Sequence, residues 1–187
     1  NLQDRSEVGV LSRTVHDYPV FEGAVLDVPG PGEAGDSLFR EWAAEKSGPY
    51  STNGSLAALI ARSSGAAQEP DLIVFALPID FHGYYPGYAA ESALKHDRLT
   101  FVVLKAHTEN RAGTVRLTSA DPRDPPAVDF RYFEEGSDPE GRDLRGVVDG
   151  IRIARRINAR LGAMLAEELI PGAAADDQAA LEAFVRD

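Results

Sequence analysis

Cysteine is missing from this chain of 187 residues, which excludes disulfides, thiolate metal sites and cysteine nucleophiles within it. Positive charge is scarce as well. Nineteen Lys and Arg stand against 30 Asp and Glu, a formal net charge of −11. Nucleic-acid phosphates demand clustered cations, so nucleic acid is not an expected partner, and an anionic membrane surface is disfavoured for the same reason. Acidity of this size mainly serves solubility and leaves the substrate open. No apolar run approaches the ~20 residues needed to span a bilayer. The N-terminus, Asn1-Leu2-Gln3-Asp4-Arg5, lacks the apolar segment of a signal peptide. A cytoplasmic protein is therefore expected. It begins without a Met and in mid-pattern, and the helix-like run Ala179 to Val185 stops abruptly, so the chain reads as a fragment.

Several catalytic signatures are also absent. No G-x-S-x-G elbow supports a serine hydrolase of that kind. No G-x-G-x-x-G follows a strand and opens a helix, so the chain carries no dinucleotide phosphate cradle. His16, His82, His96 and His107 are the only histidines, and no two share a ligand spacing on one element, so no metal site is expected.

What is present suffices for one domain: 43% hydrophobic and 26% charged residues suit a soluble chain with a single core. Glu7 to Ser12 has strand composition. Pro29-Gly30-Pro31-Gly32 marks a surface turn. Asp36 or Ser37 can cap a helix over 38–46, with Leu38, Phe39 and Trp42 on its buried side and Gly48-Pro49 ending it. Ser55 to Ala61 fits strand or helix by periodicity, and its short length and flanking Gly54 and Gly65 favour strand. Asp71 to Leu77 reads as a strand buried on both faces. Phe81 to Tyr88 is too rich in Gly and Pro for regular structure. Leu99 to Ala106 is the next strand, and Thr114 to Thr118 alternates like a strand with one wet face. Strands in such close succession favour antiparallel pairing. The longest helix is expected from Asp138-Pro139, where Asp can cap and Pro fits the first turn. Leu144, Val147, Val148, Ile151 and Ala154 give it one buried stripe, and its arginines read as a solvated face.

Four features invite chemistry. His107 ends a strand, where it can act as a polarising donor or general base or be satisfied by turn carbonyls. His82 sits among Phe81, Tyr84, Tyr85 and Tyr88, a cluster that suits a substrate lid, plain packing or a subunit contact, so a homo-oligomer stays open. Asn53-Gly54 offers a neutral amide, though a turn role is the default for Asn-Gly.

The fourth is the segment from Arg111 to Phe133, a strand, a Pro-rich turn and a second strand. With Gly113-Thr114-Val115-Arg116-Leu117-Thr118-Ser119-Ala120-Asp121-Pro122 and Val128 to Phe133, it resembles a motif of the glucose-methanol-choline (GMC) oxidoreductases, with Ala112 inserted between the usual Arg and Gly. Asn1-Leu2-Gln3-Asp4 is similar to that family's entry into the substrate domain, with Arg5 in place of His. Pro70-Asp71-Leu72 resembles its P-D-[LIV]-Q strand, with Ile73 in place of Gln. Asp143-Leu144 through Gly150-Ile151-Arg152 resembles the helix that follows.

The resemblance implies an α+β fold, a mixed, mainly antiparallel sheet of about six strands flanked by helices, forming one incomplete substrate-binding-type domain over 1–187. It implies an FAD-dependent parent that oxidises an alcohol by hydride transfer, with FAD held outside this fragment, which alone is inactive. It places no catalytic residue here. Asn53, Ser55, Phe75 and His107 are the candidate substrate-binding residues, and Val115, Leu117, Val128 and Phe130 are expected to pack a sheet under the pocket. The position near Asn53 and Ser55 where choline-oxidising members carry a carboxylate is neutral, so a neutral alcohol is expected at least as much as choline. Two rivals remain: a stand-alone α+β binding or oligomerisation module without redox chemistry, and a hydrolase built from available Ser, His and Asp.

Overall fold

The computed structural model describes residues 2–66, 68–133 and 136–187. Asn1, the first residue of the family-like entry segment, lies outside them. In chain order the elements are β1 (Glu7–Thr14), α1 (Ser37–Glu45), β2 (Ala57–Ala61), β3 (Leu72–Leu77), α2 (Tyr88–Ser92), β4 (Arg98–Lys105), β5 (Thr114–Arg116), β6 (Ala127–Asp129), α3 (Arg142–Leu161), β7 (Leu165–Ile170) and α4 (Gln178–Arg186). Five strands make one sheet in the order β2-β3-β4-β1-β7, and β5 pairs only with β6. Every one of these pairings is antiparallel. The fold is α+β, as expected, with five strands in the main sheet and two in a separate ribbon. None of its helices, among the described residues, is long and apolar enough to cross a membrane.

Register decides which residues share a face. Val10 lies opposite Phe101 and Val8 opposite Val103. Across the next pair Ala76 opposes Phe101 and Val74 opposes Val103. This face packs against the stripe Val147, Val148, Ile151 and Ala154 of α3, and Leu181 of α4 seals the same core. Each fully buried Val, Ile, Leu or Phe side chain here contributes about 1.5–3 kcal/mol. The helix approaches closely because Gly150 has no side chain: a Cβ there would stand 2.2 Å from Val103 Cγ1.

A buried ionic knot fixes one end of this layer. Lys105 Nζ lies 2.9 Å from Asp71 Oδ2 and 3.6 Å from Asp143 Oδ1. Ser63 donates to Asp71 through both N–H and Oγ, while Asp143 accepts the N–H groups of Glu109 and Asn110. Burial pushes the Asp71 carboxyl up, yet its bonds to Ser63 and Lys105 outweigh that and hold it below its ordinary range. The two aspartates of the family-like motifs thus join β3, β4 and α3 through one lysine.

Four sequence expectations shift. First, α3 starts at Arg142, with Gly141 left-handed before it at φ 63°. Asp138 still serves the helix end, because its carboxylate accepts from the N–H groups of Arg142 and Asp143. Second, β3 is fully buried on one face and only in part on the other, where Leu77 is buried. Leu72, Val74 and Ala76 lie in the core, whereas Ile73 and Phe75 are half-buried on the other side. Third, Val115, Leu117, Val128 and Phe130 do not pack the main sheet. They belong to the β5–β6 ribbon and its ends and are exposed, Leu117 by 87%. Alternation marked the strand, and it cannot say which sheet a strand joins. The arginines of α3 also depart from a merely solvated face: Arg155 pairs with Glu168 of β7 at 2.6 Å and donates to the carbonyls of Ala175 and Gly172.

Candidate functional site

On the face turned away from α3, Phe75, Leu77 and Val102 present a second apolar surface, joined by Phe81. The segment after β3 is pinned there. Thr100 Oγ1 donates to the carbonyl of Ile79 and accepts the N–H of Phe81, and Ser92 donates to the carbonyl of Asp80, which is also ion-paired to Lys95. Phe81 is therefore core, 6% exposed. Tyr84 and Tyr88 meet it and each other edge-on, with centroids 5.0, 6.0 and 5.4 Å apart. The aromatic cluster thus packs at its base and forms a wall at its top, where Tyr84 is exposed.

Opposite that wall stands a lobe built from the loop through Phe21 to Pro29, α1 and the turn 49–54. Asp36 organises it. As the helix cap, its Oδ1 accepts the N–H of Phe39 at 2.8 Å, and its Oδ2 accepts the N–H of Val25 and the hydroxyl of Tyr50. Tyr50 in turn accepts the N–H of Leu26. Burial works to raise the Asp36 pKa, but these hydrogen bonds prevail and lower it, while burial and the nearby Asp36 charge push the Tyr50 phenol up. No residue of α1 is fully buried. Phe39 and Trp42, expected on a buried side, instead line the space between lobe and sheet. They contact one another at 5.6 Å, and Lys46 lies over the outer part of the pair, 4.9 Å from the Trp42 ring centroid.

The space is a cavity of about 580 Å³, within the usual size for small-molecule sites. Asn53 and Phe75 both line it, so the structure brings together two of the four sequence candidates. Ser55 sits beside them in the turn, where its N–H donates to Asn53 Oδ1 and its hydroxyl to the Ala57 carbonyl. His107 lies elsewhere. It is exposed beyond the far end of β4, and its carbonyl accepts from Lys105 Nζ. At ~3.3 Å per residue it stands roughly 17 Å along the chain from Val102. Sequence reading missed Phe21, Leu26 and Val28, because a loop has no periodicity to reveal what it faces. Glu7, also missed, sits behind the wall: burial raises its carboxyl, against the opposing hydrogen bond from Tyr84.

Among the described residues lining this cavity there is no Lys, Arg or His. A dinucleotide pyrophosphate finds no counter-charge there, so these residues do not fit the phosphate arm of FAD. They fit an apolar or aromatic body. Nor do the described residues contain a group of three or more His, Cys, Asp or Glu able to hold a metal ion.

Residues 109–187 match the family model described as GMC oxidoreductase. Choline oxidase of Arthrobacter globiformis is 37% identical over 121 residues, covering 63% of this chain and 21% of that protein. The chloroplastic fatty acid photodecarboxylase of Chlamydomonas reinhardtii is 30% identical, over 76% of this chain and 24% of the relative. An oxygen-dependent choline dehydrogenase of Brucella ovis is 28% identical across all of this chain and 31% of its own length. The chain thus spans about a fifth to a third of the curated relatives it matches. A crystal structure of formate oxidase shares the fold, with TM-score 0.67 at 18% identity, over 100% of this chain and 35% of that one. A formate oxidase from Aspergillus oryzae, studied for modification of its FAD, gives 0.68 at 18% identity, over 99% and 34%. Sequence match and shared fold agree with the Asp71, Asp143 and Gly150 motifs that tie the sheet to α3, and residues 109–187 of the chain belong to the GMC oxidoreductase family.

Proposed function

We propose that this chain is the substrate-facing part of an FAD-dependent oxidoreductase acting on CH–OH groups, with FAD held by the remainder of a longer parent protein. The observation that carries the reading is the half-open apolar face of the sheet, where Phe75 and Leu77 floor a cavity closed from above by the lobe that Asp36 ties together. Two relatives are named for choline, an alcohol, and a structural neighbour carries FAD.

In the parent the flavin supplies the hydride acceptor. The residues of this chain bind and orient. Phe75, Leu77 and Phe81 remove water from around the substrate's carbon atoms. Asn53 is the polar group assigned to the substrate oxygen: Ser55 N–H fixes its Oδ1, leaving Nδ2 as a donor. No residue here is assigned removal of the hydroxyl proton, and the chain alone is expected to be inactive.

The test is anaerobic mixing of the full-length parent with alcohols while following its visible flavin absorbance. Bleaching is expected, and Asn53→Ala should raise KM by about tenfold for one lost hydrogen bond near 1.4 kcal/mol. A parent that binds flavin yet is reduced by no alcohol would refute the assignment. The rival reading, a binding module without redox chemistry, is favoured by a core that closes within the chain, with Leu181 of α4 fully buried. A parent that binds no flavin at all would leave that reading standing.

A further inference from the structure

We infer that the cavity selects an uncharged alcohol with an extended apolar body, and discriminates against both a quaternary ammonium such as choline and a fatty carboxylate. This rests on the cavity being the substrate's, and it names the substrate class.

Three observations converge. The first is charge. Without a lysine, arginine or histidine on the lining, an anion has no partner. The carboxylate that does line the cavity, Asp27, is exposed at the rim and accepts the N–H of Val28. It would repel a carboxylate. A cation meets Asp27 only at the exposed rim, where solvent and salt screen the attraction. Aromatic faces attract quaternary ammonium groups, but the floor of Phe75, Leu77, Ile79 and Phe81 holds no carboxylate to offset the cost of desolvating a charge. The Asp36 carboxylate is already engaged by Tyr50 and by the Phe39 and Val25 N–H groups.

The second observation is size. A volume of about 580 Å³ equals that of roughly twenty water molecules in the liquid, at ~30 Å³ each. A ligand the size of choline would leave most of it as water against apolar walls. A medium-length or aryl-substituted alcohol fills it and gains from each methylene buried. The third is polarity at one point. Asn53 lines the cavity with its Oδ1 taken by Ser55 N–H, while its Nδ2 makes no hydrogen bond among the described residues. The hydroxyls of Tyr50, Thr52 and Ser92 on the same lining donate elsewhere, so the Asn53 amide is a donor left open to one hydroxyl.

Trp42 lines the cavity and is the sole tryptophan of the chain, so its fluorescence reports occupancy directly. The 187-residue chain is titrated with straight-chain primary alcohols from butanol to decanol, with 2-phenylethanol, with choline and with decanoate, and calorimetry is run alongside so that a silent fluorophore does not pass for non-binding. The expected result is saturable binding of the neutral alcohols, tightening about fourfold per added methylene, with choline and decanoate at least tenfold weaker than decanol. The variant Val28→Lys places a cation at a rim position that is 87% exposed, so folding is not at stake. It should raise decanoate affinity by about fivefold or more, the effect expected of one nearby opposite charge. Binding of choline or decanoate to the unaltered chain as tightly as decanol overturns the inference, and so does a complete absence of alcohol binding. Failure of the broader reading shows elsewhere, in a flavin-bearing parent that no alcohol reduces. A parent bleached by choline but not by decanol would keep that reading and overturn this inference.

Discussion

The layer in which α3 and α4 pack on the sheet and the lobe of residues 21–54 are built by different rules. From Glu109 onward the chain matches the family model, and its longest helix is locked to the sheet by Gly150, by the Lys105 knot and by the clamp of Arg155 on Glu168. Before β4, the lobe of residues 21–54 has no fully buried side chain. It is held by the hydrogen bonds of Asp36 and Tyr50 and encloses a cavity rather than a core. The stiff part carries the residues that match the family model, and the open lobe walls the cavity. A family match over 109–187 therefore says much about the scaffold and little about the substrate.

Perturbations should separate the two regions. The largest effect is expected from Lys105→Met, which leaves Asp71 and Asp143 facing each other in a buried site and should cost about 3–5 kcal/mol of stability, read in urea unfolding. Gly150→Val forces a branched side chain against Val103 and should cost about 1–3 kcal/mol by overpacking, lowering Tm by roughly 2–12 °C for a chain of this size. Asp36→Ala removes a helix cap and two ties between loops. A loss of about 1–2 kcal/mol is expected, with a weaker hold on ligand in the cavity while α3 remains as protected from hydrogen exchange as before. If Asp36→Ala instead unfolded the α3 layer along with the lobe, the division into two regions would be wrong.

Acid should act on both regions in the same direction. Asp71 and Asp36 have carboxyls lowered below their ordinary range. Each contributes stability that is fully present above the unfolded value of about 3.9 and is lost as pH falls through the lower folded value. The unfolding free energy should therefore fall below roughly pH 4, and less steeply in Asp36→Ala, which has lost one of the two groups. The smallest effect is expected at the exposed ribbon, where Leu117→Ser should change stability by no more than about 0.5 kcal/mol.

Much of the layer packed on α3, together with the helix cap of the lobe, is legible in the sequence because periodicity reports burial and a helix end needs an acceptor. The stripe from Leu144 to Ala154, the strands around Val10, Val74 and Phe101, and the cap at Asp36 follow from spacing and from the chemistry of helix ends. Strand β7 was not legible: Glu167 and Glu168 interrupt an edge strand that is mostly exposed, leaving no apolar run to read. Alternation marks the two strands of the ribbon but does not encode which sheet they join, and they pair with each other rather than with the main sheet. Asn53 and Phe75 were each singled out, yet their meeting in one cavity depends on β2 pairing with β3 and on a loop from residues 21–29 crossing above. Such a loop leaves no trace in local pattern, and neither does the role of Asp36 in tying it down.

The most direct test of this account is the anaerobic reduction of the full-length parent's flavin by decanol, compared between the unaltered protein and Phe75→Asp, which puts a charge on the cavity floor. Bleaching is expected in the unaltered protein, with a rate lowered at least tenfold by the substitution and flavin content unchanged. An equal rate in both would mean that substrate does not occupy the space between the lobe and the sheet.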